Sequence, residues 1–319
     1  MSGPRAESRV MRLIGPRATT VTGLVLLVVL YAAAAVRYSD QHFLTLRVFL
    51  NLLEDRAVLG ILAAGVTFVI VSGGIDLAVG AVMGLSSITV AALVMQHGWP
   101  VAAAISAALV LGTAFGAGHG VLIHFAGLRA FIVTLAGMFL ARGLAFLVSI
   151  ESIGIADDAH GAVSGLRVRF GELGSLRVGA MIMVTWVLAG AYIATFTRFG
   201  RSAYALGGSE EAAGLMGLPV ARSRIGVYAL SGLCAAAGGV VLTFQLSSGS
   251  PTEGVGMELD AIAAAVIGGT LLTGGSGSIA GSLIGTLIIG LVLNAVTTYE
   301  GSLSSGMTRV LIGGLLLMF

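Results

Sequence analysis

The sequence predicts an all-α bundle of about ten membrane-spanning helices. Of its 319 residues, 57% are hydrophobic and only 10% are charged, whereas an ordinary soluble domain carries about 25% charged residues. The mean hydropathy of +1.02 leaves too little polar surface to cover a water-soluble globule. Lipid offers no partner to an unpaired backbone amide and long period-2 alternation is absent, so the spans are expected to be helices. The composition excludes a cytosolic enzyme, a nucleic-acid-binding protein and a disordered chain.

Two residue counts limit the chemistry of the chain. Its single cysteine, Cys234, excludes an intrachain disulfide and a cysteine-rich metal site. All 17 basic residues are arginine, and a phosphate-binding P-loop requires a lysine. If this chain moves a solute with ATP, another chain must therefore bind the nucleotide. No catalytic residue, metal site or cofactor is expected on this chain.

The chain begins with a polar segment, residues 1–18, which precedes the first apolar run. Four arginines in this segment favour a first span whose arginine-rich end stays in the cytoplasm; a cleaved signal peptide is the alternative. Residues 19–319 are expected to form one transmembrane domain. Its apolar stretches are 21–36, 57–72, 77–95, 100–125, 130–150, 178–197, 225–246, 261–273, 279–298 and 305–319. Two of them, 57–72 and 261–273, are short, and each is expected to be a broken or re-entrant helix.

The distribution of charge predicts the topology. With a cytoplasmic N-terminus, six crossings bring residues 198–224 back to the cytoplasm. That loop carries four arginines, as the positive-inside rule requires. The hydrophilic segment 151–177 then lies outside. The chain stops at Phe319 within an apolar run, so we expect either a short last helix or a cut C-terminus.

An internal repeat is visible in the glycine pattern. The segment Ser72-Gly73-Gly74 is matched by Thr273-Gly274-Gly275. At the same offset, glycines 80 and 84 match glycines 281 and 285. Six crossings separate the copies, so both should point the same way, an arrangement that can place a transport path at the repeat interface. Coincidence among 48 glycines is the alternative.

Several charged residues lie within or beside the apolar stretches. Asp76 follows two glycines that break a helix, so it could accept hydrogen bonds from a polar cargo; a helix cap is the alternative. Glu258 and Asp260 begin the second repeat copy, where acidic groups also suit a helix N-terminus. Arg142 lies deep in a span and needs a carboxylate or carbonyl partner, with Asp76 and Asp260 as candidates.

The segment from Ser209 to Pro219 predicts a short cytoplasmic helix. Ser209 can cap it, two glutamates suit its first turn, and Gly217 with Pro219 ends it. Its apolar residues Leu215, Met216 and Leu218 have no span to join. The helix is therefore expected to dock into a groove of a partner; a simple surface turn is the alternative.

Three stretches together are similar to a known family. Gly73–Gly80, Thr134–Gly143 and Glu258–Thr270 resemble the permease subunits of bacterial ABC sugar importers of the ribose type. The resemblance runs from about residue 48 to the end. Thr134–Gly143 and Glu151-Ser-Ile are most similar to the galactofuranose type.

The resemblance implies a function. The chain would be the permease subunit of an ATP-driven importer that moves a monosaccharide across the bacterial inner membrane. Its protein partners would be a second permease, identical or homologous, cytoplasmic ATPase subunits that hold ATP and Mg, and a periplasmic sugar-binding protein. Membrane lipid would surround the spans. No nucleic acid is involved. The residues similar to the loop through which such permeases engage their ATPase are Glu210, Glu211, Ala212, Ala213 and Gly217.

A path for a neutral sugar needs a few polar groups among apolar walls. The candidates are Ser72, Asp76, Arg142, Asp260 and Asn294, with Thr297 and Thr298 beyond them. The competing hypothesis is a proton-coupled secondary transporter of a small polar solute, with Asp76 as a proton relay. Both hypotheses accommodate broken helices and repeats.

Overall fold

The computed structural model describes residues 16–38, 43, 45–156, 167–169, 175–294, 310 and 313–314. The helices in this part of the chain are α1 (Pro16–Arg37), α2 (Leu46–Asp55), α3 (Ala57–Val71), α4 (Val79–Met95), α5 (Val101–Phe125), α6 (Ala130–Val148), α7 (Val178–Phe196), α8 (Arg198–Gly208), α9 (Glu210–Leu215), α10 (Val220–Leu246), α11 (Met257–Ile267) and α12 (Ile279–Asn294). The strands are β1 (Ile153–Gly154), β2 (Arg167–Arg169), β3 (Ser175–Arg177) and β4 (Ser248–Gly249). The predicted all-α bundle is confirmed.

Each apolar stretch predicted before residue 300 contains a helix. Five helices, α1, α5, α6, α7 and α10, are long and apolar enough to cross a membrane. The helices α3, α4 and α12 are apolar but shorter, and α11 has only 11 residues. The two stretches predicted to be broken are therefore short helices, each followed by a glycine turn. Residues 1–15 and 295–309 lie outside the described residues, as does most of the predicted last span.

Helix α10 lies at the centre of the bundle and packs along α5, α3 and α4. Three glycines of α5, at positions 112, 116 and 120, face α10. A Cβ added to Gly116 would overlap the carbonyl oxygen of Tyr228, and one added to Gly112 would lie 2.6 Å from the Ala236 Cβ. Small residues allow this close approach, which is how membrane helices gain packing contacts.

The two polar segments lie at opposite ends of α10. Strand β4 directly follows α10 and pairs with β1, with Ile153 opposite Gly249. Helices α8 and α9 precede α10 and contact it, and its 27 residues span about 40 Å. We call these ends the β1–β4 end and the α9 end. Residues 157–166 and 170–174 of the first polar segment lie outside the described residues.

Two helices were not predicted as separate elements. Helix α2 is short and amphipathic: Thr45 accepts a hydrogen bond from the Val48 N–H at 3.4 Å, and Leu50 and Leu52 are buried. Helix α8 continues almost directly from α7, with Thr197 as its N-cap. Both contain too many polar residues to register as apolar spans.

Candidate functional site

Two glycine turns meet at the α9 end. Gly73, in the turn after α3, has φ +80°, and Gly274, in the turn after α11, has φ +83°. A Cβ added to Gly274 would lie 2.9 Å from the Gly73 Cα. The Gly275 N–H donates to the Val71 carbonyl oxygen at 2.8 Å. Glycine tolerates this backbone conformation and close approach. Both turns follow a helix that ends here, so the two repeat copies point the same way.

Helix α8 packs against the point where these turns meet. A Cβ added to Gly207 would overlap the Val71 carbonyl oxygen and would lie 2.5 Å from the Gly275 nitrogen. We call Gly73, Gly207, Gly274 and Gly275 the glycine junction. It places the helix that leads into α9 in direct backbone contact with both copies of the repeat.

A side-chain hydrogen bond reinforces the same contact. The Tyr204 hydroxyl on α8 donates to the Gly277 carbonyl oxygen, in the turn after α11, at 2.9 Å. Burial raises the pKa of Tyr204, so its hydroxyl keeps its proton at neutral pH and remains a donor. Tyr204 therefore ties α8 to the second glycine turn.

Asp76 is buried just before α4 begins. Its Oδ1 accepts a hydrogen bond from the Ala78 N–H at 2.9 Å, and its Oδ2 accepts one from the Ser231 hydroxyl on α10 at 2.8 Å. An aspartate that accepts from the backbone two residues later stabilises the turn before a helix. Both carboxylate oxygens therefore have protein donors. The N-cap of α4 is Ala78, so Asp76 stabilises the turn before the helix and is not its N-cap. A role for Asp76 in binding cargo stays a prediction.

Arg142 joins α6 to the loop between β4 and α11. Its Nη1 donates to the Pro251 carbonyl oxygen at 2.6 Å and to the Glu253 carbonyl oxygen at 2.7 Å. A half-buried guanidinium next to apolar spans needs such acceptors. The sequence predicted either a carboxylate or a carbonyl partner for Arg142. In the structure Arg142 donates to backbone carbonyls.

The loop that Arg142 holds lies against α4. We call residues 250–256 the broken segment. A Cβ added to Gly84 would lie 2.6 Å from the Glu253 carbonyl oxygen, and one added to Gly80 would overlap the Gly254 carbonyl oxygen. Non-helical backbone at membrane depth is tolerated only inside protein or beside a water-filled cavity. The glycines of α4 therefore provide the space for this segment.

The acidic residues after the broken segment begin α11. Glu258 Oε1 accepts a hydrogen bond from the Gly256 N–H at 3.2 Å, so Glu258 stabilises the entry into the helix. Asp260 is half-buried in the first turn, and Arg56, between α2 and α3, is close enough for electrostatic attraction to it. The predicted helix-start role of Glu258 matches this geometry.

The remaining predicted path residues lie apart from this group. Ser72 ends α3, and its hydroxyl donates to the Val69 carbonyl oxygen at 2.8 Å. Asn294 is the last residue of α12, at the end of the helix opposite its glycine turn. The structure thus brings Arg142 and Asp260 to the broken segment. Ser72 lies in the turn at the glycine junction, and Asp76 lies a few residues farther along the chain. Asn294 is separate from the broken segment and from the glycine junction. Thr297 and Thr298 lie outside the described residues.

The predicted short helix is present as α9. The Ser209 hydroxyl accepts a hydrogen bond from the Ala212 N–H at 3.2 Å, which caps the helix. Glu210 forms an ion pair with Arg224 on α10. Gly217 has φ +73°, and its N–H donates to the Gly214 carbonyl oxygen at 2.9 Å, which ends the helix. The predicted cap at Ser209 and the predicted end at Gly217 therefore match the structure.

Helix α9 projects two apolar side chains outward. Leu215 is 85% exposed and Met216 is 69% exposed, whereas Ala213 is buried against the bundle. Glu211 and Ala212 are exposed on the same short helix. Adjacent exposed apolar residues on a polar loop are typical of a surface that binds another protein.

Sequence reasoning missed a buried carboxylate at the β1–β4 end. Glu54, at the end of α2, accepts hydrogen bonds from the Ala180 N–H at 2.8 Å and from the Gln245 amide at 3.1 Å. It thereby caps α7 and links that helix to the end of α10. The partners of Glu54 lie far away in the sequence. Its position in a mostly apolar stretch is the one signal that could have identified it as a buried carboxylate.

Comparison with known proteins identifies the family. Residues 48–319 match the family described as branched-chain amino acid transport system / permease component. The chain is 43% identical to the inner membrane ABC transporter permease protein YjfF of Escherichia coli K12, over 87% of this chain and 83% of that protein. It is 40% identical to the ribose import permease protein RbsC of the same strain, over 85% and 84% of the two chains.

A third relative, the xylose transport system permease protein XylH of Escherichia coli K12, is 34% identical over 82% of this chain and 81% of that protein. No solved structure matches the chain. The matched range begins in α2 and includes the glycine junction, the broken segment and α9. The chain therefore belongs to this family of transport-system permease components.

Proposed function

We infer that this chain is the membrane-spanning permease subunit of an ATP-driven importer that moves a monosaccharide across the inner membrane. The family carries this inference, together with relatives whose names specify ribose, xylose and fructose transport. The chain is a transport subunit rather than an enzyme. ATP hydrolysis, with its ATP and Mg, belongs to separate ATPase subunits.

Two features of the chain support the proposal that a separate ATPase subunit supplies the energy. It has no lysine, so it lacks the residue with which a P-loop reaches nucleotide phosphates. It also carries α9, a capped helix with two exposed apolar residues. The helix that leads into α9 contacts the glycine junction through Gly207. The coupling residues proposed are Glu210, Glu211, Ala212, Ala213 and Gly217.

We propose that the broken segment and its neighbours line the cargo path. Arg142, Glu258 and the backbone of residues 250–256 offer donors and acceptors suited to sugar hydroxyls. Arg142 and Asp260 flank this segment, and Ser72 and Asp76 lie on the route toward the glycine junction. Irregular backbone within a membrane faces either protein or a cavity, and this rule is compatible with a path at this place.

The assembly proposed has further partners. The N-terminus and residues 198–224 face the cytoplasm, because the arginines concentrate there, and residues 151–177 face outward. A second permease copy or homologue completes the membrane part, and a periplasmic binding protein delivers the sugar. Residues 19–319 form one permease domain in this assignment.

The exposed pair on α9 gives the sharpest test. In the double variant Leu215→Ser and Met216→Ser, we expect the ATPase subunit to be lost from the complex purified in mild detergent, and uptake of the sugar to fall at least tenfold. Binding of the apolar side chains in a partner groove is the physical reason. Copurification of the ATPase and uptake into vesicles are the measurements.

A matched control is available at the same end of the bundle. Leu128 is 45% exposed in the loop between α5 and α6, and Leu128→Ser should leave both readouts unchanged. Full uptake by the α9 double variant would contradict the proposal. Uptake driven by a pH gradient in vesicles that hold this chain alone would favour the proton-coupled alternative.

The identity of the transported monosaccharide is a separate proposal. We propose a sugar of the galactofuranose type, on the likeness of residues 134–143 and 151–153. Uptake assays with labelled galactofuranose, ribose and xylose test it. Preference for a pentose would overturn the choice of sugar without affecting the proposal of an importer.

A further inference from the structure

A groove of about 660 Å³ opens between α8 and the first turn of α10. Three exposed arginines line it: Arg198, Arg201 and Arg222. Its apolar wall includes Phe199, Leu218 and Pro219. The groove thus combines concentrated positive charge with a strip of apolar surface.

The positive charge of the groove is not balanced by acidic residues of the part of the chain that the structure describes. No aspartate or glutamate of the described chain lines it. Of the nearby glutamates on α9, Glu210 forms its ion pair with Arg224 instead. The first turns of α8 and α10 also lack acidic residues. Helix N-termini carry partial positive charge, so both helices add to the attraction for an anion.

The groove lies at the edge of the membrane. Helix α7 is an apolar span that ends at Phe196, and two aromatic residues near its end, Tyr192 and Phe196, are 62% and 72% exposed. Aromatic side chains concentrate at the level of lipid headgroups. Arg198 follows Phe196 by only two residues, and the Arg201 Nη1 donates to the Phe196 carbonyl oxygen at 3.4 Å. The arginines therefore lie directly beside the end of the apolar span, where lipid phosphates are expected.

We propose that this groove binds the phosphate headgroup of an anionic phospholipid. The arginines contact the phosphate, and the glycerol and upper acyl chain lie along Phe199, Leu218 and Pro219. A planar guanidinium binds phosphate through paired hydrogen bonds. Such a lipid would hold α8 against the start of α10, beside the glycine junction. The proposal does not depend on an ATPase partner.

The position of the groove favours a lipid over an acidic segment of a partner protein. The exposed apolar residues suited to a protein partner are Leu215 and Met216 at the tip of α9, and neither lines the groove. The groove instead continues the boundary of the α7 span. Its combination of cationic and apolar walls matches the headgroup and first methylenes of a phospholipid.

The test uses the full chain purified in a mild detergent. Dioleoyl phosphatidylglycerol, dioleoyl phosphatidylcholine and inorganic phosphate are titrated separately, and bound ligand is measured by native mass spectrometry. The variants are Arg198→Gln with Arg201→Gln, and Arg222→Gln alone. The control is Arg129→Gln, which removes an exposed arginine at the same end but outside the groove.

We expect phosphatidylglycerol to bind more tightly than phosphatidylcholine and inorganic phosphate. Each arginine removed should weaken its binding about fivefold, so the double variant loses about 25-fold, and added salt should weaken binding further. Arg129→Gln should bind as the unmodified chain does. The substituted residues are exposed, and unchanged thermal unfolding would show that the variants remain folded.

Three outcomes would overturn the proposal. The first is equal binding of the two phospholipids, or binding of inorganic phosphate as tight as that of phosphatidylglycerol. The second is unchanged phosphatidylglycerol binding in the groove variants. The third is loss of a copurifying acidic protein with lipid binding intact, which would make the groove a protein-docking site.

Discussion

Polar side chains inside this bundle connect neighbouring helices through hydrogen bonds. Asp76 connects the start of α4 to Ser231 of α10, and Arg142 connects α6 to the broken segment. The Thr67 and Ser282 hydroxyls, 2.6 Å apart, join the two copies of the repeat. A polar group away from water is costly unless it is hydrogen-bonded. Each of these residues therefore stabilises one particular arrangement of helices.

The two hydrogen bonds that Asp76 accepts lead to a prediction about stability. Asp76→Ala removes the acceptors for the Ala78 N–H and the Ser231 hydroxyl, and we expect it to lower the free energy of unfolding by about 1–3 kcal/mol. Asp76→Asn keeps an acceptor for Ala78, so its stability should fall much less. Thermal unfolding in detergent is the measurement, and Ser231→Ala, which removes one of the two bonds, should lie between them.

Uptake assays on the same variants separate the two interpretations of Asp76. If Asp76→Asn keeps its stability and its uptake, the carboxylate serves only to stabilise the turn before α4. Normal stability with abolished uptake would instead assign the charge a role in cargo movement. Asp76→Ala as stable as the unmodified chain would contradict a structural role for the two hydrogen bonds of Asp76.

At the scale of elements, α8 links the exposed helix α9 to the interior. Its last turn contacts both glycine turns through Gly207, and Tyr204 donates to Gly277. A movement of α9 would therefore reach both copies of the repeat without passing through a long loop. Packed helices transmit displacement in this way because their interiors resist compression.

Two adjacent glycines of α8 provide a matched pair of substitutions. Gly207→Ala introduces a Cβ that overlaps the Val71 carbonyl oxygen, whereas a Cβ at Gly208 meets nothing within 4 Å. We expect Gly207→Ala to destabilise the chain by about 1–3 kcal/mol and to reduce uptake. Gly208→Ala should leave both thermal unfolding and uptake unchanged. Equal behaviour of the two variants would show that contact at the glycine junction is unimportant.

At the scale of the whole molecule, the structure separates two polar faces. One end of the bundle carries α8 and α9, and the other carries the β1–β4 pair and the helix α2. The amphipathic α2 and the capping carboxylate Glu54 organise the second end, where α7 starts and α10 ends. An asymmetry of this kind suits a protein that meets different partners on its two sides.

Cysteine labelling tests the orientation proposed. The native Cys234 is 2% exposed, so a membrane-impermeant maleimide should not label it. We expect Met216→Cys to be labelled only after the membrane is opened, and Glu151→Cys to be labelled in intact spheroplasts. Both positions are exposed. The reverse pattern of labelling would place α9 outside and would contradict a cytoplasmic coupling helix.

Local features of the sequence predicted most of the elements. Hydropathy located the long helices, because a span must bury a run of apolar side chains in lipid. The cap at Ser209 and the end at Gly217 were predictable because their hydrogen bonds join residues at most five apart. Helix α2 was not predicted, because its ten residues mix polar and apolar side chains and have too little hydropathy to be recognised as a span.

The candidate site was harder to predict, because its contacts join distant parts of the chain. Arg142 was recognised as needing a carbonyl or carboxylate, but its acceptors lie 109 and 111 residues away. Likewise, Asp76 meets Ser231 across 155 residues. Neither periodicity nor spacing encodes which helices become neighbours.

By itself, the sequence determined that this chain is an apolar helical bundle with a capped helix between arginine-rich flanks and no lysine for a P-loop. These properties depend on composition and on hydrogen bonds between near neighbours. Only the tertiary structure decided that the two repeat copies meet at the glycine junction and that Arg142 holds the broken segment. Those contacts depend on helix packing, in which backbones approach wherever distant glycines face each other, and no local pattern specifies that pairing.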